Sequence, residues 1–434
     1  MKSVTNLRGM IFTKDCVFEP GELVIEDGII KEVRTCEYEA LVQKEQERYL
    51  IPGLVDVHLH GAVGYDFCDG TKEALQAIAA YENEHGITTI CPATMSLPVM
   101  ELERILAVVT EWKKEKAWEN SAVCENGDRA EERILAQNLR GIHLEGPFIA
   151  KEKKGAQKEE YIIPFDKDVL LGLQDKSDGL IKLVTIAPEI EWAMEGVKDL
   201  KEAFRFSIGH TMADYETACK AFEAGADHVT HLYNAMRTGT HREPSVPEAA
   251  ADYDNVYVEL ICDGVHVHPS VVRNTFRIYG DDRVILISDS MRATGMEASA
   301  VSDDMAKGNE TNAVSDDMAK GNETDAASDD MAKNNETEKD IFTLGGQRVT
   351  VNGKLATLED GTIAGSVSNL YDCMKKAIDM GIPKESAIKA ATINPARSIG
   401  VDGEVGSIEA YKRADILIVD EELRLETVII GGKL

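Results

Sequence analysis

Leu50-Ile51-Pro52-Gly53-Leu54-Val55-Asp56-Val57-His58-Leu59-His60 is an apolar run that ends in two histidines one residue apart. Side chains of a strand alternate between faces, so residues i and i+2 point the same way. Two imidazoles therefore leave one face where a buried strand runs out. Imidazole suits zinc, iron or nickel, and a pair on one side is half of a metal site.

Working outward, the pattern on each side of this stretch differs. Residues 1–50 read as short strands, with Asp27-Gly28 a turn between Glu22–Asp27 and Ile29-Ile30. From residue 51 onward, apolar strand-like runs alternate with helical stretches. The runs are 51–58, 86–93, 139–145, 181–187, 204–210, 226–231, 255–262 and 283–289, with helical patterns such as 71–85, 99–118 and 214–225 between them. Eight βα units predict an α/β fold, a (β/α)8 TIM-like barrel spanning 51–400. Helices are expected over 366–380 and 384–392. Residues 401–434 return to short strands, clearest at Ala414–Val419. With 1–50 they predict a small β-sandwich domain built from both chain ends.

Residues 302–337 break the pattern. Ser-Asp-Asp-Met-Ala-Lys recurs at 302, 315 and 328, each copy trailed by Asn-Glu-Thr, a period of 13 residues. Residues 301–340 carry 12 acids and 4 lysines, so −8 of the chain's net charge of −30. Such an acidic insertion is expected to be a disordered surface loop. The charge of the whole argues against nucleic acid or an anionic membrane as partner. Eight cysteines without a CxxC pair, no leader-like N-terminus and no run long enough to span a bilayer point to a cytoplasmic protein.

The polar residues that close the eight runs carry the chemistry. His58 and His60 end run one, Glu145 run three, His210 run five, His231 run six and Asp289 run eight. In a barrel these C-terminal ends share one face, where active sites are built. Glu145, His210 and His231 offer the three ligands plus open position of a hydrolytic metal, which lowers the pKa of bound water to about 7. Asp289 is placed to take that water's proton and return it to a leaving group. His143 reads equally as a support to the site or as a hydrogen-bonded core histidine; His85 and His228 read as structural. Asn234-Ala235, His241-Arg242 and Asp263-Gly264-Val265-His266 lie in following loops and are candidate substrate contacts. An arginine there can clamp a phosphate with two hydrogen bonds.

Pro52–Gly61 resembles the first-strand motif of the amidohydrolase superfamily. His143-Leu144-Glu145-Gly146-Pro147-Phe148, Gly209-His210-Thr211, His231–Met236 and Asp263–His266 narrow the resemblance to its N-acetylated sugar-phosphate deacetylases. Asn394-Pro395-Ala396-Arg397 and Ala414-Asp415 are similar to the superfamily's tail. The resemblance covers nearly the whole chain except 301–340. It implies hydrolysis of the acetamide of N-acetyl-D-glucosamine 6-phosphate, with another N-acyl amino sugar or a cyclic amide as the alternative substrate. A non-catalytic scaffold that kept the fold is the rival of another class; the retained ligand set argues against it. The resemblance also implies a divalent metal, zinc or iron first, one or two per subunit, and a homodimer. It implies Glu145, His210 and His231 as main ligands, His58 and His60 as a second metal's, and Asp289 as acid-base. Asn234, Ala235, Arg242, His266 and Ile363-Ala364-Gly365 match positions that contact the sugar phosphate. Ala156-Gln157 stands where many members carry Ala-His; Gln157 can donate to a substrate oxygen but cannot carry charge.

Overall fold

A left-handed two-residue turn sets the second hairpin. Asp27 and Gly28 have φ of 51° and 81° and join β2 to β3. The computed structural model describes residues 4–37, 48–118, 134–296 and 340–433. The 13-residue repeats lie outside the described residues. The strands are β1 (Val4–Phe12), β2 (Phe18–Glu26), β3 (Ile29–Thr35), β4 (Tyr49–Pro52), β5 (Leu54–Asp56), β6 (Gly61–Ala62), β7 (Tyr65–Asp66) and β8 (Ile87–Ile90). Then come β9 (Ile142–Glu145), β10 (Ile181–Ile186), β11 (Arg205–Ile208), β12 (His228–Val229), β13 (Tyr257–Ile261) and β14 (Val284–Ile287). Last are β15 (Asp340–Leu344), β16 (Gln347–Asn352), β17 (Leu355–Thr357), β18 (Ile416–Val419) and β19 (Leu425–Ile429).

Both chain ends meet in one six-stranded sheet, ordered β19-β18-β4-β1-β2-β3. β4 runs parallel to β1 and antiparallel to β18, so the sheet hands the chain directly to β5 through Gly53. The expected sandwich is a single sheet. Its apolar cluster is built from its own strands (Ile11, Leu23, Ile25, Leu50, Ile416, Ile418, Ile429) with Ile408 and Ala414. A separate three-stranded sheet, β15-β16-β17, buries Leu344, Val349, Val351 and Ala356 against Met95, Ala156 and Met291.

The central sheet is parallel and curled. β9 to β14 are neighbours in chain order, and β5 pairs with β8. Isolated bridges Ile90↔Leu139 and Ala93↔His143 link β8 to the β9 side. At the opposite seam, the Asp289 N–H donates to His58 O at 2.9 Å and the His60 N–H to Ser290 O at 2.7 Å. Alternation sorts the side chains. Val55, Val57, Ile261, Ile285 and Ile287 fill one cluster, while Val258, Leu260, Val284 and Leu286 pack with the helices in another.

Helices follow the strands where capping residues start them. Thr71 Oγ1 accepts from Ala74 N ahead of Lys72–Glu84, and Asp214 accepts from Thr217 N ahead of Tyr215–Ala224. The helix expected from 366 begins at Leu370. Asn369 caps it, and the Ser366 N–H is committed to Asp289 O at 2.8 Å. No helix among the described residues is long and apolar enough to cross a membrane. The seven cysteines among them are free thiols.

Gly209 shows how tightly the sheet holds what lies above it. A Cβ there would meet Thr230 Cβ at 2.7 Å and Thr185 Cγ2 at 3.0 Å, both on stiff, buried threonines. Gly209→Ala should cost about 1–3 kcal/mol in urea unfolding, as overpacking does. A variant as stable as the parent would show that the wall beneath His210 yields.

Candidate metal centre

Each candidate ligand leaves the sheet just past, or at, the end of its strand. Glu145 is the last residue of β9; His210, His231 and Asp289 stand two residues beyond β11, β12 and β14. These last three have φ of 47°, 28° and 49°, the left-handed region that ordinary residues avoid. Backbone held there turns each side chain inward over the strand ends, at a cost of order 1–3 kcal/mol per residue that the surrounding fold must supply. All of them, with His58 and His60, are buried.

The geometry is that of a socket for a cation. Glu145 Oε1 lies 3.0 Å from His210 Nε2 and 3.1 Å from His231 Nε2, and those two nitrogens are 3.0 Å apart. His58 Nε2 is 3.4 Å from the same oxygen. His60 Nε2 is 3.3 Å from both Glu145 Oε2 and Asp289 Oδ1. The far ring nitrogens fix the tautomers. His210 Nδ1 meets Lys153 O at 2.7 Å, a pure acceptor, and His58 Nδ1 meets Glu259 Oε2 at 2.9 Å. Each Nδ1 therefore carries a proton, which makes Nε2 the ring nitrogen turned toward Glu145 and available to ligate. His58 Nε2 is buried with no hydrogen-bond partner. Lone pairs and carboxylate oxygens facing one another at about 3 Å fit a divalent cation between them. Among the described residues three groups could hold an ion: Glu145, His210 and His231; His58, His60 and Asp289; and, behind them, His58, His143 and Glu259.

Proton affinities show the same field. Burial works against charging His60, but hydrogen bonds to Asp289 and Glu145 raise it to about 10. Burial also opposes ionisation of Glu145, yet His58, His210 and His231 hold it well below the usual carboxylate range. Asp289 is lowered for the same reason, by His60 and His58 against its burial.

Above the triads opens a cavity of 280 Å³. His60, Glu145, His210, His231 and Asp289 form its floor. Ala156, Gln157, Asn234, Ala235, His266, Ile363 and Gly365 are on its walls, joined by Met95, Gly155, Leu344 and Thr362. Ala364 is buried and does not line it, its N–H bonded to Ala356 O. Arg242 is exposed and also off the wall. Its loop is closed by Thr240 and Glu243, and a charged side chain with no buried counter-ion stays hydrated. Gln157 lines the cavity and is hydrogen-bonded at both ends of its amide. Nε2 donates to Glu145 Oε2 at 3.0 Å and Oε1 accepts the Ser96 N–H at 2.5 Å. The second Nε2 proton and the second Oε1 lone pair leave the same side chain able both to steady Glu145 and to meet a substrate oxygen. His266 is held by Asp263, Nδ1 to Oδ2 at 2.7 Å. Burial works against Asp263 ionising, but this ring and two backbone N–H groups bring it to about 2.

His143 resolves as a core histidine. Nδ1 meets Val57 O and Nε2 meets Thr185 Oγ1, and burial pushes its pKa well below the ordinary value. His228 is likewise buried beside Ser207 Oγ, and His85 bonds Tyr81 O. Reading the sequence missed Glu259, which touches both His58 and the His231 backbone. Its signal was a lone glutamate inside the apolar run Tyr257-Val258-Glu259-Leu260-Ile261, a residue type almost never buried without partners.

The family model described as "Amidohydrolase family" matches residues 49–434. The chain belongs to the amidohydrolase family. Among amidohydrolase relatives, the N-acetylglucosamine-6-phosphate deacetylase of Bacillus subtilis (strain 168) is 32% identical over 430 residues, 98% of this chain and 95% of that protein. The N-acetylgalactosamine-6-phosphate deacetylase of Escherichia coli O157:H7 is 27% identical over 426 residues, covering 98% and 97%. A solved N-acetyl-D-glucosamine-6-phosphate deacetylase mutant from Mycobacterium smegmatis, in complex with N-acetyl-D-glucosamine-6-phosphate, superposes with a TM-score of 0.80 at 26% identity over 99% of both chains.

Glu145→Gln should weaken the main metal site, since a neutral amide replaces an anionic ligand shared by two histidines. His58→Asn combined with His60→Asn should remove only a second equivalent. Metal content of the purified variants by mass spectrometry checks this. Full metal in the first and none in the second would reverse the assignment.

Proposed function

We propose that this amidohydrolase removes the acetyl group of N-acetyl-D-glucosamine 6-phosphate, giving D-glucosamine 6-phosphate and acetate. The observation that carries the reading is Asp289 on the same cavity floor as the Glu145, His210 and His231 triad, beneath walls that include Asn234, Ala235 and His266. The relatives' deacetylase activities on N-acetylated sugar phosphates support it. The finer reading adds a closed (β/α)8 barrel for the curled sheet, zinc or iron in one or both triads, and a cytoplasmic homodimer.

Glu145, His210 and His231 would hold the main divalent ion, and His58 and His60 with Asp289 a second. A bound ion polarises the amide carbonyl and makes water a nucleophile near neutral pH. Asp289 accepts the proton of the attacking water. It then delivers that proton to the sugar nitrogen as the C–N bond breaks, so that the amine leaves neutral. Gln157 keeps Glu145 in place throughout. Asn234, the Ala235 backbone and the Asp263-held His266 ring line the wall that faces the sugar phosphate, and Arg242 meets the phosphate from the solvent side.

Asp289→Asn should keep the fold and the Glu145-centred metal while acetate release falls by about 10²–10⁴-fold. Activity within a few fold of the parent would remove Asp289 from the chemistry. The substrate panel is N-acetylglucosamine and N-acetylgalactosamine, each with and without the 6-phosphate. The proposal expects the highest kcat/KM on N-acetylglucosamine 6-phosphate; a preference for the galacto epimer would move the protein toward the second relative's activity. Arg242→Ala should lose about 10–150-fold in kcat/KM on the phosphorylated sugar, the worth of a charge-assisted hydrogen bond at about 1.5–3 kcal/mol. The unphosphorylated sugar should lose little. Equal losses on both would assign Arg242 to loop structure alone.

A further inference from the structure

Glu259 sits inside the curled sheet, fully buried, on a strand that is otherwise apolar. Its ion-pair partners among the described residues are three histidines and no lysine or arginine: His58 Nδ1 at 2.9 Å, His228 Nδ1 at 3.7 Å and His143 Nδ1 at 3.9 Å. His228 and His143 use that nitrogen on Ser207 Oγ and Val57 O. His58 is the ring that bonds the glutamate. The same oxygen, Oε2, also accepts the His231 backbone N–H at 3.0 Å. One carboxylate oxygen thus holds the ring of one candidate ligand and the main chain of another. His58 belongs to the triad with His60 and Asp289, and His231 to the triad with Glu145 and His210.

Two consequences follow from the chemistry of that oxygen. Accepting the Nδ1 proton turns His58 Nε2 toward the other candidate ligands, where among the described residues that atom is buried without a hydrogen-bond partner, 3.4 Å from Glu145 Oε1 and 3.8 Å from Asp289 Oδ1. Accepting from the His231 N–H anchors a residue whose φ of 28° is unfavourable for anything but glycine. We infer that Glu259 is a positioning residue that aims His58 Nε2 and fixes the turn at His231, joining the two ligand triads into one unit. This rests on the reading that the triads hold divalent ions. Carboxylates behind ligating histidines orient the ring and raise its basicity, and their loss weakens metal binding by about 10–100-fold.

The experiment compares full-length parent, Glu259→Gln and Glu259→Leu. Zinc affinity is measured by competition with a chromophoric chelator. The His58 Nδ1–H proton is followed by NMR of 15N-histidine-labelled protein and assigned with His58→Asn. Glu259→Gln keeps size and an acceptor oxygen, so it should fold. It should bind zinc about 10–100-fold more weakly, with the Nδ1–H resonance moved to higher field. Glu259→Leu should lose that resonance. Parent-like zinc affinity in Glu259→Gln, with the resonance unmoved, overturns the inference. If the parent itself binds no zinc, the metal reading fails, and the resonance alone decides the positioning role: shifted in Glu259→Gln supports it, unmoved refutes it.

Discussion

Electron pairs crowd one point in this molecule. The Nε2 atoms of His210 and His231 stand 3.0 Å apart, each about 3 Å from Glu145 Oε1, and the proton on His210 sits on its far side against Lys153 O. Such groups repel one another unless a positive charge, a proton or a metal ion, lies among them. The fold brings them together regardless, and most of its unusual features serve that end. The left-handed backbone at His210, His231 and Asp289 turns side chains inward just beyond the strands. Glu259 from below and Gln157 from the side hold the ligands once turned.

The strand ends can do this because everything beneath them is rigid. Gly209 has room for no Cβ against Thr230 and Thr185, and those threonines bond each other at 2.8 Å. Ser207 Oγ continues the chain of bonds to Thr230 and His228. Hydrogen bonds that link neighbouring strands in this way fix positions more sharply than apolar packing alone. The six-stranded sheet stands apart from this layer, and its connection through Gly53 enters the first catalytic strand directly.

Much of this was legible in the sequence because it follows from chain periodicity. Eight apolar runs, five of them ending in His, Glu or Asp, already implied one face of convergent candidate ligands. What was not legible depends on contacts between segments far apart. The chain ends were expected to form a sandwich, but β4 pairs with both β1 and β18 and draws their strands into one sheet, a pairing no local pattern reveals. The helix after residue 365 starts at Leu370 because the Ser366 N–H is drawn to Asp289 O. Gln157 looked free to meet substrate, and only the fold shows Ser96 and Glu145 at its two ends. Glu259 was visible as an oddity in an apolar strand, yet its partners lie 201 residues before it at His58 and 28 before it at His231.

On this geometry a divalent ion belongs between Glu145, His210 and His231. Anomalous X-ray diffraction from crystals of the metal-loaded protein, recorded on either side of the metal's absorption edge, tests it directly. The account predicts an anomalous peak within ligand distance, about 2.0–2.2 Å, of Glu145 Oε1 and of Nε2 of both histidines. A metal-loaded crystal with no anomalous density among these three atoms, or with the ion bound elsewhere, would contradict it.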